Sequence, residues 1–234
     1  MVGWLALAGG AEFQRGRDEA DRMLIDAAGG MGARVAILPT AAAAEGAPKM
    51  AAANGVRHFN RLGAKAEGVM IVDAATANDE SLAAQLAAAR LIYITGGDPD
   101  YLLRSLKGSL AWQVILDTWN DGAVLAGSSA GAMVLCEALW NPDARRIETA
   151  LGVVRHAAVI PHHRPGSEWV KTLRDTLGND YAILGIAEQT ALIWDSATWR
   201  VAGSGDAMIY ALGQIERHHP SMIGFQISNV QVQS

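Results

Sequence analysis

The feature that most restricts the fold of this chain is a short apolar run that leads directly into very small residues. Residues 123–126 have the composition of a buried strand, and they are followed by Gly127-Ser128-Ser129-Ala130-Gly131, which fits Gly-x-Ser-x-Gly. Apolar residues typical of a helix come next. A strand that turns straight into a helix strains its corner residue and holds it at a helix N-terminus, where free N–H groups favour negative charge. The pattern predicts Ser129 as a nucleophile; a small-residue turn without chemistry is the alternative.

Strand-like and helix-like segments alternate up to this point, which predicts an α/β fold with a mostly parallel sheet covered on both faces. Strands are predicted at residues 4–8, 34–38, 68–72, 91–95 and 123–126, and helices at 18–28, 48–62, 79–89, 101–106 and 110–119. Ligands of parallel sheets bind beyond the carboxyl ends of the strands. Four such ends carry glycine or hydroxyl residues, and we expect one site there: Gly9-Gly10, Pro39-Thr40, Gly96-Gly97-Asp98 and Ser129.

The pattern loosens after Cys136. Further strands are predicted at residues 153–160, 182–186 and 191–194, with a loop at 140–147 and a helix at 168–177. Residues 199–202 and 207–212 are predicted to be antiparallel strands around Gly203-Ser204-Gly205, and the tail from His218 a last strand or an ordered arm. Because no repeat or long linker interrupts the chain, residues 1–234 are predicted to form a single domain.

Composition excludes several classes of function. Half of the residues are hydrophobic and 18% are charged, so a large core can be buried. A net charge of -5 argues against a nucleic-acid partner, since phosphates need an excess of basic residues. The single cysteine, Cys136, excludes an internal disulfide or a cysteine-based zinc site, and its apolar segment favours an inert core thiol. The apolar N-terminus lacks a basic flank and is too short to cross a bilayer, so a cytoplasmic protein without a membrane partner is expected.

A serine nucleophile needs a base, and the base needs an acceptor that orients it. Among six histidines, His162 and His163 follow a predicted strand end. His162 is the preferred base and His163 a neighbour that packs against the loop. His58 lies in a polar helical stretch and is predicted to be solvated.

Three carboxylates could orient the histidine, and Glu188 is favoured over Asp143 and Asp98 because it follows a strand between apolar segments. Oxyanion donors are expected from the backbone N–H groups of Ala130, at the helix start, and Gly97, where a missing side chain allows close approach. The chain order Ser129, His162, Glu188 differs from the nucleophile–acid–base order of α/β-hydrolases, which Asp143 would restore.

Four segments resemble the serine peptidase family of dipeptidase E and cyanophycinase. They are Leu7-Ala-Gly-Gly-Ala-Glu12, Ile94-Thr-Gly-Gly-Asp98, Gly127-Ser-Ser-Ala-Gly-Ala132 and Gly185-Ile-Ala-Glu-Gln-Thr-Ala191, with Pro161-His162 at the place of the family's histidine. The resemblance implies a flavodoxin-like three-layer sandwich of the class I glutamine amidotransferase type. It also implies that Ser129, His162 and Glu188 are catalytic and that Gly97 and Ala130 bind the oxyanion.

The resemblance also implies a small peptide substrate. Cleavage after an N-terminal aspartate needs a cation, for which Arg164 is the nearest candidate, and Asp98 is the second residue expected to contact substrate. The chain departs from the family by having His163 where a phenylalanine is usual. It also lacks the group of arginines that follows the histidine in cyanophycinases, which disfavours cyanophycin, a β-linked aspartyl-arginine polymer.

Two rival functions remain open. An amidotransferase-type hydrolase would need a cysteine at the corner, but serine stands there and Cys136 lies downstream. A non-catalytic binding domain would make the placement of serine, histidine, glutamate and paired glycines a coincidence. No metal or organic cofactor is implied. Some of the seven tryptophans, which include Trp112, Trp119, Trp140 and Trp169, are expected at a homodimer interface.

Overall fold

The computed structural model describes residues 1–141, 145–221 and 223–233. Its strands are β1 (Leu5–Ala8), β2 (Arg34–Leu38), β3 (Lys65–Gly68), β4 (Leu91–Ile94), β5 (Val124–Ser128), β6 (Ala138–Asn141), β7 (Arg146–Thr149), β8 (Val154–Arg155), β9 (Ala157–Ile160), β10 (Ala182–Ile186), β11 (Thr190–Trp194), β12 (Trp199–Gly203), β13 (Ala207–Ala211), β14 (Gln214–His218) and β15 (Gln231–Val232). Its α-helices are α1 (Asp18–Ala27), α2 (Thr40–Ala43), α3 (Pro48–Arg61), α4 (Glu80–Ala87), α5 (Pro99–Leu106), α6 (Leu110–Asn120), α7 (Ala130–Leu135) and α8 (Glu168–Leu177).

The central sheet has seven strands in the order β12-β11-β1-β5-β4-β2-β3. The five strands from β1 to β3 in this order run parallel, while β11 and β12 are antiparallel additions at the other edge. The α/β fold with a mostly parallel sheet, and with antiparallel strands from the C-terminal part of the chain, is therefore confirmed. In this order β1 and β5 are central neighbours, so their carboxyl ends lie side by side.

Alternate residues of the central strands pack into different cores, as the period of a strand requires. Leu5 and Leu7 of β1 face a core formed with α4, α5, α6 and α7. Ala6 and Ala8 face a second core formed with α1 and α3. Helices thus cover both faces of the sheet, which gives the three layers that were expected.

A second sheet, with strand order β14-β13-β10-β9, joins the first of these cores. Strand β10 pairs in parallel with β9 and antiparallel with β13, and α8 covers the far face of this sheet. The predicted pairing of residues 199–202 with 207–212 is wrong, because β12 belongs to the central sheet and β13 to the second one. Glycine-rich residues 203–205 connect two sheets and do not form a hairpin turn.

Three other segments differ from the sequence-based prediction. Strand β3 occupies residues 65–68 rather than 68–72, and Val69 and Ile71 are buried in alternation beyond its end. The N–H of Val69 still donates to Ile37 of β2, but the carbonyls of residues 71 and 72 accept from the side chains of Thr40 and Tyr101. The loop predicted at 140–147 overlaps the end of β6 and the start of β7, which pair with each other, and part of it lies outside the described residues. The strand predicted at 153–160 is divided into β8 and β9 at His156, whose φ is +55°.

The prediction that His58 is solvated is wrong. His58 is buried, and its Nε2 lies 2.8 Å from Oδ2 of Asp21, whose other oxygen accepts from Arg17 at 2.7 Å. Arg17 also donates to the carbonyl of Thr190 at 3.1 Å. The cluster ties α1 and α3 to β11.

The tryptophans expected at an interface divide into two groups. Trp112 and Trp119 lie in the core, so they do not contribute to an external surface. Trp169 is 49% exposed and packs near Trp140, with 6.5 Å between ring centroids. Within the described part of the chain, no helix has the length and apolar character needed to cross a bilayer.

Candidate active site

Ser129 lies at the corner between β5 and α7, and its backbone is strained as the sequence predicts. Its φ is +50° and its ψ is -111°, a conformation that non-glycine residues rarely adopt. A side chain at Gly127 would meet the backbone of Gly131 at 2.5 Å, and one at Gly131 would meet the carbonyl oxygen of Ile94 at the same distance. Both glycines of the motif are therefore required for the turn.

The imidazole of His162 faces this corner from the loop after β9. Its Nε2 lies 3.0 Å from Oγ of Ser129, which is a hydrogen-bond distance. The backbone N–H of His162 donates to the carbonyl of Gly9 at 2.7 Å. Gly10 leaves room for the ring, because a side chain there would lie 2.2 Å from Cε1 of the imidazole. The ring can therefore reach Ser129 only because residue 10 has no side chain.

Glu188 completes a continuous chain of hydrogen bonds. Its Oε1 lies 3.0 Å from Nδ1 of His162, in the turn between β10 and β11. The next residue, Gln189, has a φ of +56° and donates its backbone N–H to the carbonyl of Gly10 at 3.0 Å. The side chains of His162 and Glu188 are 48% and 54% exposed, so water reaches the pair.

Two backbone N–H groups beside Ser129 remain available for an oxyanion. Ala130 begins α7, so its N–H has no partner within the helix. Gly97 follows β4 with a φ of +139°, and a side chain there would collide with the carbonyl group of Ala41 at 2.4 Å. Neither N–H donates a hydrogen bond within residues 1–141, 145–221 and 223–233.

An open cleft of about 440 Å³ lies over Ser129 and His162. Its acidic side chains are Glu12 and Glu45, and neither lysine nor arginine lines it. The full lining is Glu12, Phe13, Ala42, Glu45, Ala47, Met50, Ala51, Asn54, Gly96, Gly97, Ser129 and His162. A larger cavity of about 800 Å³ lies between α8 and the β13–β14 pair and contains none of these residues.

Several sequence-predicted residues lie elsewhere. His163 is buried on the opposite side of the strand end, with Nε2 3.1 Å from the hydroxyl of Tyr210, and burial lowers its pKa. Asp98 is the N-cap of α5, where its carboxylate accepts from the N–H of Tyr101 at 2.8 Å. The expectation that Asp98 binds substrate or orients the histidine is not supported by this placement. Arg164 is exposed and does not line the cleft. Asp143 lies outside the described residues.

Sequence analysis missed Glu12, whose carboxylate reaches the end of β4. Both of its oxygens accept from the N–H of Gly96, at 3.1 and 3.2 Å. Burial raises the pKa of Glu12, although the hydrogen bond from Gly96 and the charge of Arg17 counteract this rise. The sequence signal for Glu12 was its place at the end of the Leu7–Glu12 segment, two residues after Gly10.

Two other kinds of chemistry find no support at the site. Burial raises the pKa of the Cys136 thiol, which is inaccessible in the core, so Cys136 cannot replace Ser129 as a nucleophile. In the described residues, no three side chains of histidine, cysteine, aspartate or glutamate are grouped so that they could hold a metal ion.

Comparison with known proteins gives consistent results. The family model for peptidase family S51 matches residues 5–201. Cyanophycinases of Synechococcus elongatus and Thermosynechococcus vestitus are each 26% identical over 220 residues, covering 88% of this chain and 66% of theirs. The chain thus spans slightly less than two thirds of the length of these curated relatives.

Two solved structures share the fold. A peptidase from an acI-B1 Actinobacterium is 30% identical, with a TM-score of 0.86 over 96% of this chain and 98% of that one. A protein assigned as a peptidase E from Listeria monocytogenes EGD-e is 20% identical, with a TM-score of 0.65 over 88% of this chain and all of that one. At this identity the second similarity concerns the fold alone.

Proposed function

The chain belongs to peptidase family S51, and from this premise we propose that it is a serine peptidase with Ser129, His162 and Glu188 as its catalytic triad. The observation that carries the proposal is the unbroken chain of two hydrogen bonds, each 3.0 Å long, from the Ser129 hydroxyl through the imidazole to the Glu188 carboxylate. The proposed substrate is a short peptide.

The geometry supports hydrolysis through an acyl-enzyme. His162 takes the hydroxyl proton at Nε2 while Oγ of Ser129 attacks the peptide carbonyl carbon. The resulting oxyanion is stabilised by the N–H groups of Ala130 and Gly97. His162 then gives the proton to the leaving amine, the C–N bond breaks, and the acyl-enzyme remains. Water attacks this ester with His162 again as base, which releases the acid and restores the serine.

Glu188 acts on the imidazole rather than on the substrate. Its carboxylate accepts from Nδ1–H, which keeps Nε2 free to accept the serine proton and stabilises the imidazolium formed later. Because this pair is about half exposed, water weakens its electrostatic interaction, and a substrate that covers the pair would strengthen it. We therefore expect the triad to gain activity from substrate binding itself.

The test is the Ser129→Ala variant, assayed by digestion of a dipeptide library with a mass readout. Activity should fall at least about 10³-fold, since the residual rate comes only from binding and the oxyanion hole. Ser81→Ala makes the same chemical change at an exposed position of α4 and should retain full activity. Equal turnover by the two variants would refute the triad.

Within the peptide substrates, we propose Asp-X dipeptides as the preferred class. The preference requires a cation for the aspartyl carboxylate, and Arg164, exposed two residues after His162 and outside the lining of the cleft, is the cation proposed for it. Arg164→Ala should raise KM about tenfold for Asp-X and not for Ala-X, in line with a charged hydrogen bond of about 1.5 kcal/mol. Arg90→Ala, an exposed arginine at the opposite end of β4, serves as the control.

Cyanophycin is the second candidate substrate, and two observations support it. The curated relatives are cyanophycinases, and the cleft contains Glu12 and Glu45 without a basic residue, which suits a guanidinium group. Including cyanophycin beside the dipeptides in the same digestion separates the two candidates. A protein that cleaves neither, and that a serine-directed fluorophosphonate never labels, would be a non-catalytic binding domain.

A further inference from the structure

The side chain of Glu12 links the loop after β1 to the proposed oxyanion loop. Both oxygens of its carboxylate accept from the N–H of Gly96, at 3.1 and 3.2 Å. The same carboxylate lines the cleft with Ser129 and His162. The proposed triad mechanism does not use Glu12. A negative charge so close to the oxyanion would disfavour its formation, so the presence of a carboxylate here needs another explanation.

The contact selects which of two consecutive amides remains free. Gly96 has its N–H bound by Glu12, whereas the N–H of Gly97 has no partner in the described part of the chain. The other side of this loop is fixed by the carbonyl of Ala41, which accepts from the N–H of Asp98 at 3.1 Å. The peptide unit of Gly97 is thereby held from both ends.

The three groups involved meet at close range. A side chain built at Gly96 would lie 3.2 Å from Cβ of Ser129 and 3.5 Å from Oε2 of Glu12. The glycine therefore allows the carboxylate, the oxyanion loop and the nucleophile to approach one another. A shift of the loop by a few tenths of an ångström would change the direction of the Gly97 N–H relative to the oxyanion that forms when Ser129 attacks a carbonyl.

The loop that carries Glu12 is held in a strained conformation. Ala11 and Phe13 have φ values of +49° and +64°, each at a cost of roughly 1–3 kcal/mol that the surrounding packing must offset. Phe13 supplies part of that packing, with its ring centroid 5.2 Å from that of Tyr93 and 5.6 Å from that of His58. Strain on both sides of one residue indicates that the position of Glu12 itself matters.

We propose that Glu12 is a positioning residue of the oxyanion hole, which holds Gly96 so that the N–H of Gly97 faces the oxyanion. The inference rests on the proposed serine peptidase function. The role needs an acceptor rather than a charge, because a neutral carboxylic acid or amide also accepts from Gly96 through its C=O oxygen. Burial, which raises the pKa of Glu12, therefore does not conflict with it.

The test measures the rate at which diisopropyl fluorophosphate labels the full chain, since its phosphoryl oxygen occupies the oxyanion hole. Glu12→Ala should slow labelling about 10- to 100-fold, part of the effect of losing one oxyanion donor. Glu12→Gln keeps the acceptor and should react within about threefold of the unmodified protein. Glu19→Ala, an exposed glutamate of α1, is the control and should react normally.

Steady-state kinetics on the best peptide of the library separate positioning from general damage. Loss of a transition-state contact should lower kcat in Glu12→Ala and leave KM within about twofold. Thermal unfolding of each variant shows whether the fold is intact, and the rescue by Glu12→Gln would not occur if the residue were needed only for its charge.

The outcomes distinguish this inference from the proposed function. If the unmodified protein is labelled at Ser129 and Glu12→Ala reacts equally fast, the positioning role is refuted while the triad stands. Equal impairment of Glu12→Gln and Glu12→Ala would also refute it, because charge and not acceptance would then matter. If the unmodified protein is neither labelled nor active on any peptide of the library, the proposed function itself is refuted.

Discussion

Replacing Gly10 by alanine should inactivate the site although no residue that takes part in the chemistry is itself replaced. The new Cβ would lie 2.2 Å from Cε1, 2.7 Å from Nδ1 and 2.8 Å from Nε2 of His162, that is, against the whole ring. Carbon atoms normally approach to about 3.5 Å, so the imidazole must retreat by more than about 1 Å. That movement breaks the 3.0 Å contact with Ser129.

The expected loss follows from this displacement. A misplacement of about 1 Å in a reacting group can cost about 10²-fold in rate, or about 2.7 kcal/mol of transition-state stabilisation. Alanine at a φ of +112° adds backbone strain of roughly 1–2 kcal/mol, which lowers the melting temperature by several degrees. We therefore expect kcat/KM to fall about 100-fold or more in a protein that is still folded.

Gly29 provides a matched control, because its φ of +108° is nearly the same and nothing lies within 4 Å of a side chain built there. Gly29→Ala should carry the same strain and the same drop in melting temperature, with unchanged kcat/KM. Peptide hydrolysis and thermal unfolding, measured on both variants, give the comparison. If both variants lose activity equally, or both retain it, the argument that Gly10 makes room for the imidazole is refuted.

The remaining predictions concern one group each. Glu188→Ala should lower kcat about 10²-fold with little change in melting temperature, a smaller loss than for Ser129→Ala, because the pair it removes is half exposed; equal losses in a kinetic assay would contradict this. Asp21→Asn should destabilise the fold by about 3–5 kcal/mol in urea unfolding at pH 7, since it leaves Arg17 buried without its counter-charge. In the unmodified protein, burial alone would raise the pKa of the Asp21 carboxyl, but the charge of Arg17 and the hydrogen bonds that Asp21 accepts hold this pKa below its ordinary value. The stabilisation is thus present above about pH 4 and lost as pH falls further, so the variant should show a flatter acid limb. A thiol reagent should leave activity unchanged and modify Cys136 only after denaturation; inactivation of the native protein would contradict its burial.

The sequence predicted the central sheet well because buried parallel strands and their covering helices leave strong apolar periodicity. It predicted the corner at Ser129 because strand, glycines and helix are adjacent in the chain. It failed where the outcome depends on distant partners. Residues 199–202 and 207–212 are each strand-like, and nothing local shows that one joins β11 and the other β10.

The same distinction explains what was missed at the site. His58 has the surroundings of a solvated side chain in sequence, but Asp21 lies 37 positions earlier and supplies a buried partner. Glu12 and Gly96 are 84 positions apart, so no spacing rule connects them. Choosing His162 over His163 from the sequence was a choice between adjacent residues, and the structure turns one toward Ser129 and the other toward Tyr210.

The end of β1 explains how residues so far apart in the chain meet in one site. Three consecutive backbone carbonyls there each accept a hydrogen bond from a different segment. The carbonyl of Ala8 accepts from the N–H of Ser129 at 2.9 Å, that of Gly9 from the N–H of His162, and that of Gly10 from the N–H of Gln189, which follows Glu188. The carboxylate of Glu12 accepts from the N–H of Gly96 in the same way.

Within the five successive residues 8–12, four contacts, made by Ala8, Gly9, Gly10 and Glu12, therefore position the nucleophile, the base, the orienting acid and the oxyanion loop relative to one another. Four of these five have no side chain that could act in acid–base chemistry, so a search for reactive residues passes over them. Their contribution is geometric: small side chains and positive φ angles let one strand end contact four loops. For this reason a methyl group added at Gly10 should damage catalysis as severely as removal of a charged member of the triad.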